Sequence, residues 1–128
     1  MIDHTGLSVT APVRSRAFYE QALAPLGYRV ITQVPVEHTD GKVVPGLGVP
    51  PTPDFWLHEG QQRTPPFHIA FHAEDRAAVD AFHRAAIAAG GTDNGAPGLR
   101  PHHHPGYHGA FVLDPDGHNI EAVCHEAP

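Results

Sequence analysis

Several protein classes are excluded by what this chain has little of. Its single cysteine, Cys124, rules out an internal disulfide framework. Eight Lys and Arg residues stand against 14 Asp and Glu, and they form no basic cluster. A phosphate backbone would find no counter-charge here, so no nucleic-acid partner is expected. No apolar run approaches the roughly 18 residues of a membrane span, and the start of the chain lacks a basic stretch followed by an apolar signal segment. The expectation is a cytoplasmic protein with no membrane partner. A length of 128 residues suits one domain with a real core and not two.

What the chain does have is histidine, 12 in all. Imidazole is the commonest metal ligand and titrates near neutral pH, so some of these residues are candidates for a site while most are bystanders.

The sequence repeats itself. His4 precedes Phe18 by 14 residues, and His68 precedes Phe82 by the same interval. Two modules follow, at about 1–63 and 64–128, within one domain. In the first, residues 3–9 read as a strand, Pro12 and Val13 lead into a helix over 14–26, and a Leu-Gly-Tyr turn closes it. In the second, residues 67–73 form the strand, Asp75 is the N-cap, and residues 76–89 form a helix closed by Gly90 and Gly91. Strand-like runs follow at 29–35, 42–48 and 55–58, and again at 111–113 and 119–124. Each module therefore reads as βαβββ, an α+β architecture. Residues 94–108, rich in Gly, Pro and His, read as a long irregular loop interrupted at most by a short strand.

Strand alternation puts Leu7 and Val9, and in the other copy Phe67, Ile69 and Phe71, toward the helices. The opposite face then carries His4, Gly6 and Ser8 in one copy and His68, Ala70 and His72 in the other. Glu121 alternates with Ile120 and Ala122 and so points away from the apolar face. The Asp114-Pro115-Asp116-Gly117 turn precedes it. If Gly117 is left-handed, Asp114 pairs with His118 and Phe111 lies opposite Glu121. No partner can be identified from the sequence for His72, His83, His118 or His125, and surface or structural roles are expected for them.

Four stretches carry a family resemblance: Ile2-Asp3-His4, Arg16-Ala17-Phe18-Tyr19 with Leu26-Gly27-Tyr28, Phe67 to Phe71, and Asp114 to Glu121. In that order they resemble the vicinal oxygen chelate superfamily, which includes glyoxalase I, extradiol dioxygenases, fosfomycin resistance proteins and bleomycin-binding proteins. The resemblance covers nearly the whole chain. It implies two modules whose strands curl into a mixed-sheet cup with the helices outside. His4, His68 and Glu121 match three metal-ligand positions of the family, and Trp56 stands where glyoxalase I has a fourth, glutamate ligand. One divalent ion (Zn, Fe, Ni, Mn or Co) is the implied cofactor, and a homodimer is the implied assembly, with the site lying within one chain or shared between two.

Two imidazoles and one carboxylate leave coordination positions open for a substrate. The resemblance thus implies a metal-dependent enzyme (lyase, isomerase, thiol transferase or dioxygenase) acting on a small oxygen-chelating substrate. The alternative is a bleomycin-resistance-like protein that sequesters a small molecule without catalysis. His58, two residues beyond Trp56, is the candidate base, and Trp56 an apolar wall. Arg100, Tyr107 and Phe111 are candidate substrate-binding residues, and His102 to His104 belong to a candidate lid. The thiol transferases of fosfomycin resistance share the three ligands and a tryptophan matching Trp56. They carry a tyrosine where this chain has Phe111, so the phosphonate pocket is incomplete here.

Overall fold

The computed structural model describes residues 1–125. The first module comprises β1 (Thr5–Val9), α1 (Pro12–Ala22), β2 (Arg29–Val34), β3 (Val44–Gly48) and β4 (Phe55–Glu59). The second comprises β5 (His68–His72), α2 (Arg76–Ala88), β6 (Thr92–Leu99), β7 (His108–Leu113) and β8 (Asn119–Cys124). Each module builds its own four-stranded mixed sheet, in the orders β1-β4-β3-β2 and β5-β8-β7-β6. The architecture is α+β with two βαβββ modules, as expected, but the two sheets do not join into one closed surface.

Local chemistry explains where the elements start and stop. Asp75 caps α2, its carboxylate accepting the Ala78 N–H at 2.8 Å. Proline is tolerated in the first helical turn, so α1 begins at Pro12, two residues earlier than expected. It also ends earlier, at Ala22, because Pro25 has no N–H to offer Gln21. A 3-10 turn over Ala24–Leu26 follows, closed by left-handed Gly27.

The irregular loop expected over 94–108 is corrected. Thr92–Leu99 is an eight-residue strand paired antiparallel with β7. Register shifts between Asp93 and Gly95 and between Gly95 and Gly98 break the period-two pattern by which a strand is recognised, and Pro97 falls inside the second. The β7 strand is also longer than expected, starting at His108.

The two helices pack on each other and on the apolar sheet faces. Leu7, Val9, Phe18, Leu57, Phe82, Ile120 and Ala122 are among the residues of one shared core. Edge-to-face aromatic pairs run from Phe18 through Tyr19 and Phe55 to Phe71, with centroids 5.0 to 5.2 Å apart, and so cross from one module to the other. Phe67 is the exception to the expected apolar face. It is exposed, with its ring stacked on His118 and the Arg63 guanidinium 4.6 Å from its centroid.

A polar clasp joins the modules at the turn between β7 and β8. The buried Asp114 carboxylate accepts the Tyr19 hydroxyl of α1 at 2.5 Å and the backbone N–H groups of Asp116 and His118. Asp116 accepts both the N–H and the hydroxyl of Thr10, just past β1. The His118 ring, fully buried, accepts the Phe67 N–H at Nδ1, so its Nε2 carries the proton and donates to the Ser8 carbonyl at 2.9 Å. These bonds set the end of β1 against the start of β5. Phe55, paired with Thr5 at the start of β1, packs on Phe71 toward the end of β5, so the two strands run in opposite senses.

Burial, and then the Asp114 carboxylate, hold the Tyr19 phenol well above its ordinary value of 10.0. The folded state therefore keeps this proton more tightly than the unfolded chain does. The stabilisation is complete below pH 10 and is lost as pH rises beyond it. Tyr19→Phe, which leaves a buried carboxylate oxygen without its donor, is expected to cost about 2 kcal/mol in urea unfolding at neutral pH. It should also make the alkaline loss of stability shallower than in the wild type. A variant as stable as wild type would show that this clasp bond contributes nothing.

Candidate metal centre

The open face of the second sheet brings together part of the expected site. Parallel pairing of β5 with β8 sets Ala70 beside Glu121, and His68, two residues earlier, leans over the same face. His68 Nε2 stands 3.2 Å from Glu121 Oε1. The Glu121 side chain is buried while that of His68 is half exposed, so the pair is open to solvent from the imidazole side.

The tautomer makes this contact informative. His68 Nδ1 lies 3.0 Å from the Asn119 carbonyl, which can only accept, so Nδ1 carries a proton. In a neutral ring Nε2 then presents a lone pair to a carboxylate oxygen. Two acceptors at that distance repel unless a cation lies between them, either a proton on the ring or a metal ion. Ligands bound at about 2.1 Å to one ion, at angles between a right angle and tetrahedral, stand roughly 3.0–3.4 Å apart. The observed separation fits that bite, and the donor set suits a divalent transition metal.

The surroundings come from β6 and β7. Phe111 lies opposite Glu121 in the β7–β8 ladder, as expected, and its ring stacks on His68 with centroids 6.1 Å apart. The Arg100 guanidinium lies 5.6 Å from the Phe111 centroid and donates to the Ala96 carbonyl at 2.7 Å. Tyr107 directs its hydroxyl to Glu121 Oε2, the oxygen not facing His68. Burial of the phenol, then its hydrogen bond to Glu121, push the Tyr107 pKa up to about 12, so the hydroxyl is a donor at neutral pH.

The remaining candidates do not touch this pair. His4 is exposed, its Nδ1 2.6 Å from Asp3 Oδ1, and lines a cleft that His68 and His72 also line. Among the described residues no three His, Cys, Asp or Glu side chains converge to hold a metal. Trp56 and His58 occupy the open face of the first sheet. A Cβ on Gly46 would come within 2.7 Å of the Trp56 ring, and one on Gly6 within 2.9 Å of the His58 ring, so each ring lies close over a glycine of the neighbouring strand. Trp56 pairs with Gly6 as Glu121 pairs with Ala70, which makes it the repeat counterpart of Glu121. His102 to His104 lie at the end of the β6–β7 hairpin. His104 Nε2 meets His125 Nδ1 at 2.8 Å, and the Tyr107 ring packs against His103, His104 and His125.

The bond from Tyr107 to Glu121 and the burial of His118 were not legible in the residue order. A faint signal for the first was Gly109, where a Cβ would press to 3.2 Å on both Glu121 Oε2 and the Tyr107 ring.

Paired βαβββ modules with an imidazole–carboxylate pair on an open sheet face define the class of protein. The family model for the Glyoxalase/Bleomycin resistance protein/Dioxygenase superfamily matches residues 1–122, and the chain belongs to that superfamily. Similar solved structures include a glyoxalase/bleomycin resistance protein from Albidiferax ferrireducens, 23% identical over 97% of this chain and 98% of that one, with a TM-score of 0.72. A mutant of the FosX fosfomycin resistance protein from Listeria monocytogenes, complexed with Mn(II) and 1S,2S-dihydroxypropylphosphonic acid, is 17% identical over 96% and 88%, with a TM-score of 0.69. A mutant of Zea mays glyoxalase I is 23% identical over 95% of this chain but 46% of that one, with a TM-score of 0.71. These likenesses establish the fold. A search of curated proteins gives no match.

Trp56, the only tryptophan, is a built-in reporter of the first sheet's open face. Gly46→Ala forces its ring off β3 and should shift the intrinsic fluorescence maximum while α-helical circular dichroism stays constant. An unchanged emission spectrum would contradict the placement of Trp56.

Proposed function

We propose that this protein is a metal-dependent enzyme acting on a small substrate that chelates through adjacent oxygens, and that it holds one divalent ion with His68, Glu121 and the His4 of a second copy. The observation that supports this reading most is the approach of His68 Nε2 to Glu121 Oε1 at 3.2 Å, with Nδ1 committed to the Asn119 carbonyl, a separation that one ion can span. His4 matches the family's third ligand position, yet the clasp draws it away from His68 within one chain. A homodimer that sets the first sheet of one copy against the second sheet of the other would bring His4 back, together with Trp56 and His58.

The ion, when bound, supplies Lewis acidity toward substrate oxygens. The chain's own residues supply the rest. Glu121 balances charge, and Phe111 screens one face of His68 from water. Arg100, held beside Phe111, offers a counter-charge to an anionic group, and Trp56 forms an apolar wall. His58, the candidate base, moves a proton at its imidazole.

Metal content after tag-free purification and reloading tests this proposal. Wild type is expected to carry near one ion per chain, and His4→Ala, His68→Ala and Glu121→Ala to lose it. Sharing between copies makes a sharper forecast. Mixed dimers of a His4→Ala chain with a His68→Ala, Glu121→Ala chain should regain metal in half of their sites. Failure of the mixture to regain any would place the site within one chain. A wild type that cannot be loaded with any of the five metals would favour the sequestering alternative.

A further inference from the structure

We infer that Tyr107 is a positioning residue for the metal centre, holding Glu121 so that a single carboxylate oxygen faces the ion. This inference rests on the proposed metal site. The carboxylate is divided between two neighbours: Oε1 faces His68 Nε2, and Oε2 accepts the Tyr107 hydroxyl. With its second oxygen engaged, Glu121 is held as a one-oxygen ligand, and the coordination position that a chelating carboxylate would fill stays available for substrate.

The fold is arranged to deliver that hydroxyl. The hairpin end between β6 and β7 closes on itself through Arg100 N–H to Tyr107 carbonyl at 2.7 Å and Tyr107 N–H to His104 carbonyl at 3.2 Å. Left-handed Gly106 then turns the chain so that Tyr107 lies over β8. The ring is gripped by His103, 4.6 Å away, and by His104 and His125, each 5.3 Å away. Gly109 leaves the space through which the ring reaches Glu121. His103 and His104, with His125, thereby act as the mount for Tyr107.

The test is Tyr107→Phe, which removes the hydroxyl and keeps the ring in its histidine grip. Mn(II) and Zn(II) affinities would be measured by chelator competition, beside thermal unfolding of the metal-free protein. The expected result is affinity weakened about tenfold, with the metal-free protein still folded and destabilised no more than Tyr19→Phe destabilises it, since a buried carboxylate oxygen loses its donor in both. Co(II)-loaded variant should also show a changed visible spectrum as the carboxylate is freed to bind through both oxygens. Affinity and spectrum unchanged from wild type would overturn the inference. Glu121→Ala, measured in parallel, separates the two failures. If it abolishes binding while Tyr107→Phe leaves it intact, only the role of Tyr107 falls. If Glu121→Ala binds metal as wild type does, the site itself is misplaced, and this inference falls with it.

Discussion

The structure depends on the buried clasp at Asp114, Asp116 and His118. Three side chains in one tight turn reach α1, the end of β1 and the start of β5. Buried carboxylates and imidazoles are costly unless every acceptor and donor is matched, and here the bonds match them. The clasp and the aromatic chain from Phe18 to Phe71 together hold the modules with β1 and β5 in opposite senses. With the strands opposed, His4 does not join His68 and Glu121 in a cluster of three candidate ligands among the described residues.

The two modules share a fold but have diverged at their open faces. Equivalent ladder positions carry Glu121 in one sheet and Trp56 in the other. One face therefore offers a carboxylate that can meet a cation, and the other an aromatic surface that can meet an apolar substrate part. Bringing the faces together across a dimer would place chemistry on one wall and selectivity on the other.

Much of this was legible in the sequence, and the reasons differ by element. The β8 turn and its register, including Phe111 opposite Glu121, followed from the Asp-Pro-Asp-Gly signal and the fixed geometry of a left-handed glycine. The α2 cap followed from Asp75. The β6 strand was hidden because its bulges and its Gly and Pro content erase alternation, which is the only pattern a strand displays. His118 was opaque because its partners are backbone groups of Ser8 and Phe67, and backbone groups leave no trace in the residue order. The bond from Tyr107 to Glu121 was opaque for a similar reason: which side chain a loop tyrosine meets depends on the hairpin's closure, not on spacing. His4 and His68 were recognisable as repeat counterparts, but their separation depends on how the modules pack, which no single motif encodes.

The most direct test of this account is a crystal structure grown with Mn(II), with anomalous data locating the ion. The account requires a peak bridging His68 Nε2 and Glu121 Oε1, with His4 of a second copy as the third protein ligand. A peak ligated by His4 and His68 of the same chain would contradict the role given to the clasp. No peak at that pair, at saturating Mn(II), would contradict the metal centre itself.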